Sequence, residues 1–333
     1  KGLFNGTILV AEKGQILYTG AFGYSNFKTK DTLSIQTPFQ LASVSKMFTA
    51  AAIMLLYDKG LLNYDDDMTK YIPEFPTKGI SIRNLLNHRT GLQNYMYVAD
   101  KYWDKTKVLT NEDIPELFKK NNIKPIFSPD QRFQYCNTNY ALLALIVERI
   151  SGFSFKDFMK NFIFDPLKMQ NSYIYCKAEN NFVQGSAIGY SYYFRKGIKP
   201  EIPDYLDGVT GDKGMYSTVE DLFKFDNALY NNPFVRKETL NQAFEPSPSD
   251  NNKIKKYGFG WRIRVDDSSR REVYHYGWWR GFKTYFIREM NEQITIISLN
   301  NRSNIHINHL LCQILWYGEK FKNKEGYTEV EEE

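Results

Sequence analysis

The stretch Phe39-Gln40-Leu41-Ala42-Ser43-Val44-Ser45-Lys46 runs into the segment on which the rest of the chain is read. Over 43–59, Phe48, Ala51, Ala52, Leu55 and Leu56 recur at three- and four-residue spacing, and Gly60 stops the run. That periodicity predicts a buried helix. Ser43 stands at its start. Residues three apart share a helical face, so the Lys46 amine can reach the Ser43 hydroxyl. A Ser hydroxyl is a poor nucleophile and needs a base. A Lys serves when desolvation and neighbouring positive charge leave it neutral. A helix N-terminus adds donors and a favourable field for a developing oxyanion. Ser-x-x-Lys also occurs by chance, with an N-cap Ser and a solvated Lys as the plain alternative.

Before this helix the pattern alternates. Segments 7–11 and 16–20 flank Glu12-Lys13-Gly14-Gln15, which predicts a hairpin. After it, helices are expected over 82–87, from Thr110, over 139–151 and over 154–162. Residues 170–215 are Tyr- and Gly-rich and irregular. Thr218 with Asp221 opens a helix to 229 in the manner of a capping box. Strand patterns return at 258–265, 272–276, 282–288 and 293–299, and a last helix is expected over 305–317. Strands at both ends with helices between imply an α+β fold, an α/β sandwich. One antiparallel sheet is made by the N- and C-terminal strands, flanked by helices, with a mostly helical insertion. The expected division is one catalytic domain over 1–325. Its α/β part spans 1–60 and 205–325, the insertion about 61–204, and a charged tail 326–333. A cleft between insertion and sheet is the expected binding site.

Composition narrows the function classes. The 333 residues carry 43 Lys+Arg against 38 Asp+Glu, a formal net charge of +5. That surplus is small and dispersed, which argues against nucleic-acid binding. The 24 Tyr, 24 Phe and 5 Trp suit either a large core or an aromatic cleft. Three Cys, at 136, 176 and 312, exclude a dense disulfide framework, and no CxxC suggests a zinc site. No apolar run is long enough to span a membrane. The chain begins at Lys1 without Met, so a fragment or processed form is expected, with any export signal removed from view. His306 and His309 lie three apart on a helical pattern but lack a third ligand, and Asp65-Asp66-Asp67 lacks the Gly and Glu of a calcium loop. No metal and no cofactor are expected. His88 is read as a packing residue.

Two further motifs accompany Ser43 and Lys46. Tyr135-Cys136-Asn137 precedes the 139–151 helix. A phenol beside a Lys can share the base role, and an amide can hold a substrate carbonyl. His275-Tyr276-Gly277-Trp278-Trp279-Arg280-Gly281 places a Gly on a strand, where backbone can approach substrate closely. Ser-x-x-Lys, Tyr-x-Asn and His-x-Gly in this order resemble the serine β-lactamase and penicillin-binding protein superfamily, in particular its class C-type branch. That branch includes D-alanyl-D-alanine carboxypeptidases, D-amino-acid peptidases and esterases. The segments 80–92, 127–152, Gly214-Met215-Tyr216-Ser217-Thr218 and Tyr257-Gly258-Phe259-Gly260-Trp261 also resemble family stretches.

The resemblance implies a β-lactamase/transpeptidase-like fold and an acyl-serine hydrolase acting on a small ester or amide. A β-lactam, a D-amino-acid peptide or an ester would serve as substrate. It implies Ser43 as nucleophile, Lys46 as its activating partner and Tyr135 as general base and acid. Which of Lys46 and Tyr135 takes the Ser43 proton stays open. Asn137, His275, Tyr276, Gly277 and Trp278 would contact substrate. The backbone N–H groups of Ser43 and Trp278 would form the oxyanion hole. It implies a small-molecule or peptide substrate as the partner, and a place in the bacterial periplasm or cell envelope. His275 and Tyr276 depart from the family's usual Lys and Thr, Asp130 from its Gly, and Trp278 and Trp279 from small residues. A catalytically silent binding or sensor domain for cell-wall fragments or peptides is the alternative.

Overall fold

The computed structural model describes residues 4–193, 196–231, 234–247, 256–265 and 270–303. The expected helix 305–317, the tail 326–333, His306, His309 and Cys312 lie outside the described residues. Seven strands form one antiparallel sheet. In spatial order they are Lys256–Tyr257, Arg262–Val265, Arg271–Trp279, Phe282–Glu289, Ile294–Asn300, Gly6–Glu12 and Gln15–Phe22. The hairpin closes over Lys13-Gly14, with Glu12 opposite Gln15. Gly6 then pairs with Asn300 and Glu12 with Ile294, so the first strand lies between its neighbour in sequence and one from the far end of the chain.

The helix Ser45–Asp58 is buried almost all round, from Ser45 to Leu56. A helix apolar on every side belongs in the middle of a core. It lies in one hydrophobic cluster with Leu9, Phe286, Ile297 and Leu299 of the sheet and with Tyr140, Leu143 and Val147 of the helix Asn137–Ser151. Each such fully buried large side chain contributes roughly 1.5–3 kcal/mol.

Several boundaries differ from expectation. Ser43 belongs to a 3-10 turn, Ala42–Val44, and the α-helix starts at Ser45. The helix expected from Thr110 begins at Asp113, whose carboxylate accepts from the Thr110 N–H and hydroxyl. The 154–162 helix is Phe155–Met159 followed by a wide turn, Lys160–Phe164. A helix at Tyr95–Tyr102, not foreseen, supplies Tyr95 and Met96 to the site. The strand expected over 258–265 breaks between Tyr257 and Arg262. The reason is Gly260. Its φ is +79°, and a side-chain carbon there would lie 2.8 Å from the Lys46 carbonyl oxygen. The chain bends to pass against the helix that carries the lysine. The Tyr-rich stretch near 190 forms a small hairpin, Tyr190–Tyr193 with Gly197–Pro200. Asp130 takes φ 62°, the left-handed conformation a Gly would supply, and its carboxylate pairs with Arg89 at 3.2 Å.

Candidate active site

Ser43 is half-buried at the head of the central helix, and Ala42 before it holds φ at 50°. Positive φ at a non-glycine residue is strained backbone of a kind that collects at functional sites. Lys46 has 0% exposure. Its Nζ lies 3.1 Å from Ser43 Oγ, 2.8 Å from Asn137 Oδ1 and 2.8 Å from the Asp212 carbonyl oxygen. An ammonium in such a place loses its hydration, and losing the proton is the cheapest response. Burial accordingly pushes its pKa from 10.5 down to about 7, with Arg262 helping and Asp212 opposing. In the neutral amine, two N–H bonds go to Asn137 Oδ1 and the Asp212 carbonyl. The lone pair is left to face Ser43 Oγ.

Tyr135 and Asn137 arrive together. Asn137 begins the helix Asn137–Ser151, and its Nδ2 also reaches Met96 Sδ at 3.7 Å. The Tyr135 ring centroid lies 5.0 Å from Lys46 Nζ. Among the described residues its hydroxyl has no partner in hydrogen-bond geometry. Burial raises the phenol's pKa, while Arg262 and the nearby Ser43 side chain pull it back. Cys136 between them is buried, its Sγ directed at the Leu92 carbonyl. His88 packs against the Tyr135 ring at 4.4 Å and accepts the Cys136 N–H on Nδ1.

The His-x-Gly strand divides by parity, because side chains alternate across a sheet. Gly277 faces the turn that carries Ser43. A side-chain carbon there would lie 2.3 Å from the Leu41 carbonyl oxygen and 2.8 Å from the Ser43 nitrogen. Only glycine lets the strand approach so closely. This brings the backbone of Gly277 and Trp278 beside that of Ser43. Pairing with the strand Arg262–Val265 ends at Tyr274, so beyond it that edge of the strand is free of this partner. The Trp278 side chain is 56% exposed, beside Lys283.

His275, on the same parity as Gly277, has 0% exposure. Its imidazole is packed beneath the site rather than open to solvent. Nε2 lies 3.0 Å from the Tyr257 hydroxyl and Nδ1 2.8 Å from the Tyr276 carbonyl. Burial, with Arg262 and Lys46 nearby, holds its pKa well below 6.5. The ring is neutral and buttresses the site. Tyr276, on the opposite parity, sits under the Arg262 guanidinium, 4.4 Å away.

Two groups escaped the sequence reading. Asp212 and Lys213 form a buried pair (3.6 Å) tied together by Tyr95, whose hydroxyl meets Asp212 Oδ2 at 3.1 Å and Lys213 Nζ at 2.8 Å. Thr49 Oγ1 donates to the Gly211 carbonyl at 2.7 Å, anchoring this turn to the central helix. The signal was an Asp-Lys pair just before the Gly214-Met215-Tyr216 motif. Arg262 is the other. It follows Trp261 of the Tyr-Gly-Phe-Gly-Trp motif directly, and only the folded sheet carries it to Tyr135.

The sequence profile of the Beta-lactamase family matches residues 2–306. The chain belongs to the β-lactamase family. A penicillin-binding protein of Bacillus subtilis (strain 168) is 39% identical over 311 residues, covering 91% of this chain and 69% of that protein. A penicillin-binding protein from Bacillus halodurans shares the fold, with TM-score 0.83, 23% identity and coverage of 94% and 96% of the two chains. A D-amino acid amidase from Ochrobactrum anthropi SV3, complexed with L-phenylalanine amide, shares it at TM-score 0.77 and 21% identity over 97% and 95%. The chain spans about two thirds of the length of the curated relatives it matches. The fold is the β-lactamase-like one expected, and the family is one of serine hydrolases. Among the described residues, no helix is long and apolar enough to cross a membrane.

Proposed function

We propose that this β-lactamase-family chain is an acyl-serine hydrolase of small amides or esters, a D-amino-acid peptide or amide among them. The observation that carries the reading is the buried Lys46. Its pKa is near 7, and it is held by Asn137 and Asp212 with its remaining valence toward Ser43 Oγ. Lys46 takes the Ser43 proton as Oγ attacks the carbonyl carbon. The oxyanion is received by the N–H groups of Ser43 and Trp278. Tyr135, whose raised pKa keeps it protonated, donates to the leaving nitrogen or oxygen and is reprotonated from Lys46. Water then attacks the acyl-Ser43 ester, and the proton path runs in reverse. We assign the protein to the bacterial cell envelope, as its resemblance to penicillin-binding proteins implies. The relatives' names and the amidase fold neighbour support the substrate class.

The test is labelling with a fluorophosphonate and with a fluorescent penicillin, followed by mass analysis of the adducted peptide. An adduct on Ser43, abolished in Lys46→Ala protein of unchanged circular dichroism, is the expected result. No Ser43 adduct with either probe overturns the proposal in favour of a silent binding domain.

A further inference from the structure

Two buried lysines meet at Asp212, which has one carboxylate to offer. Lys46 has 0% exposure, Lys213 3% and Asp212 1%. Burying an ammonium is costly unless a carboxylate pairs with it, and an unpaired one sheds its proton instead. The lysine that Asp212 leaves unpaired is therefore the one free to act as a base. The carboxylate goes to Lys213, whose Nζ lies 3.6 Å from Asp212 Oδ1. Among the described residues Asp212 forms no ion pair with Lys46. That lysine meets it at the backbone carbonyl, 2.8 Å away.

Tyr95 fixes the carboxylate on the Lys213 side. Its hydroxyl donates to Asp212 Oδ2 at 3.1 Å and accepts from Lys213 Nζ at 2.8 Å. Lys213 also donates to the Val209 carbonyl at 3.1 Å. Its three ammonium protons thus have the directions of Val209, Tyr95 and Asp212. The Trp279 ring lies 5.3 Å from the same Nζ, within cation–π range. The carboxylates beyond that indole are taken: Asp207 accepts Trp279 Nε1 at 2.7 Å and pairs with Arg280, which also pairs with Asp204. Around Lys46 the other titratable neighbours are neutral near pH 7. Burial holds His88 and His275 well below 6.5 and raises Tyr135, Cys136 and Tyr140. Asp212 and Arg262 are the full charges that act on the Lys46 amine.

We propose that Lys213 is a positioning residue for the activation of Ser43: it holds the Asp212 carboxylate as its own ion-pair partner and so leaves Lys46 with two amide oxygens as acceptors and an uncharged amine facing Ser43 Oγ. This deepens the acyl-serine reading and rests on it for the role of Lys46. Lys213 needs no contact with substrate, because it acts through Asp212. A carboxylate at this depth without Lys213 would recruit Lys46 as its partner. A lysine so paired is an ammonium, with no lone pair for the serine proton.

Two titrations test it. In Ser43→Ala protein carrying carbon-13 lysine, the nuclear magnetic resonance signal of the Lys46 Cε, assigned by its loss in Lys46→Met, reports the charge of that amine. Lys213→Met should raise its midpoint by about one pH unit, and Asp212→Asn should lower it. The double variant, Asp212→Asn with Lys213→Met, should fall between the two. In protein with Ser43 intact, labelling by an uncharged fluorophosphonate should follow the same order. Lys213→Met should label roughly fivefold more slowly at pH 7 and reach the wild-type rate by pH 9.5. A purely structural role would lower the rate at both pH values and leave the midpoint in place. If the single variant, with its stranded carboxylate, does not fold, the step from Asp212→Asn to the double variant carries the same prediction: the midpoint rises. A midpoint that stays or falls on removal of Lys213 in either background overturns the assignment. The resonance titration needs no turnover. The expected shifts in a protein that forms no Ser43 adduct would leave the Lys213–Asp212 assignment standing and fell the hydrolase reading instead.

Discussion

The pH dependence of Ser43 acylation separates the two candidate bases. The perturbation is pH from 5 to 9.5 at constant ionic strength, and the reagent is an uncharged fluorophosphonate, so only the protein titrates. With Lys46 at about 7, the neutral fraction is about 9% at pH 6, about 50% at pH 7 and about 91% at pH 8. The second-order labelling rate should rise about tenfold between pH 6 and 8 and then level off. A lysine left at its ordinary 10.5 would give about a hundredfold rise over the same interval and no plateau. A Tyr135 phenolate as base would also climb through pH 9, because burial raises that phenol. The sign of the neighbours is checkable in the same assay. Asp212 holds the Lys46 pKa up and Arg262 holds it down. Asp212→Asn should therefore move the midpoint to lower pH and Arg262→Met to higher pH. The lowered lysine also makes the unfolded chain bind more protons than the native state between pH 7 and 10.5, so stability contributed by this group rises with pH across that window. A log-linear rise to pH 9.5, or midpoints that shift the same way in both variants, would refute Lys46 as the base.

Gly277→Ala places a carbon 2.3 Å from the Leu41 carbonyl and 2.8 Å from the Ser43 nitrogen. It should cost about 1–3 kcal/mol in urea denaturation and slow Ser43 labelling about a hundredfold; labelling at the wild-type rate would show that the strand does not set the oxyanion geometry. Trp278→Ala removes a side chain that is 56% exposed and should change stability by less than about 1 kcal/mol. Acylation by a fluorescent penicillin should accelerate severalfold, and an unchanged rate would place the indole outside the path of the reagent.

Much of the candidate site was legible because it is local. Ser43 and Lys46 lie three residues apart on one helical turn, and Tyr135 and Asn137 flank one helix start, so spacing alone brings each pair together. The sheet was readable for the same reason. Period-two alternation marks a strand wherever it lies, and strands at both ends with helices between leave few ways to bury their apolar faces. The boundary errors at Thr110, at 154–162 and at Gly258-Phe259-Gly260-Trp261 come from contacts that no local pattern carries, such as the close pass of Gly260 against the Lys46 carbonyl.

The electrostatics belong to the tertiary structure. No pattern of residues states that His275 is sealed and neutral while Arg262, thirteen positions earlier, is charged and unmatched. Charge state follows from solvent exposure and from groups distant in sequence, and both exist only once the sheet has closed. The sequence by itself determined the candidate pair Ser43 and Lys46 and the class of fold, since both rest on spacings of a few residues. Only the folded chain decided that burial brings the Lys46 pKa down to about 7, against the opposing pull of Asp212 from 166 residues away. It alone decided that the site's second cation is an arginine on a neighbouring strand.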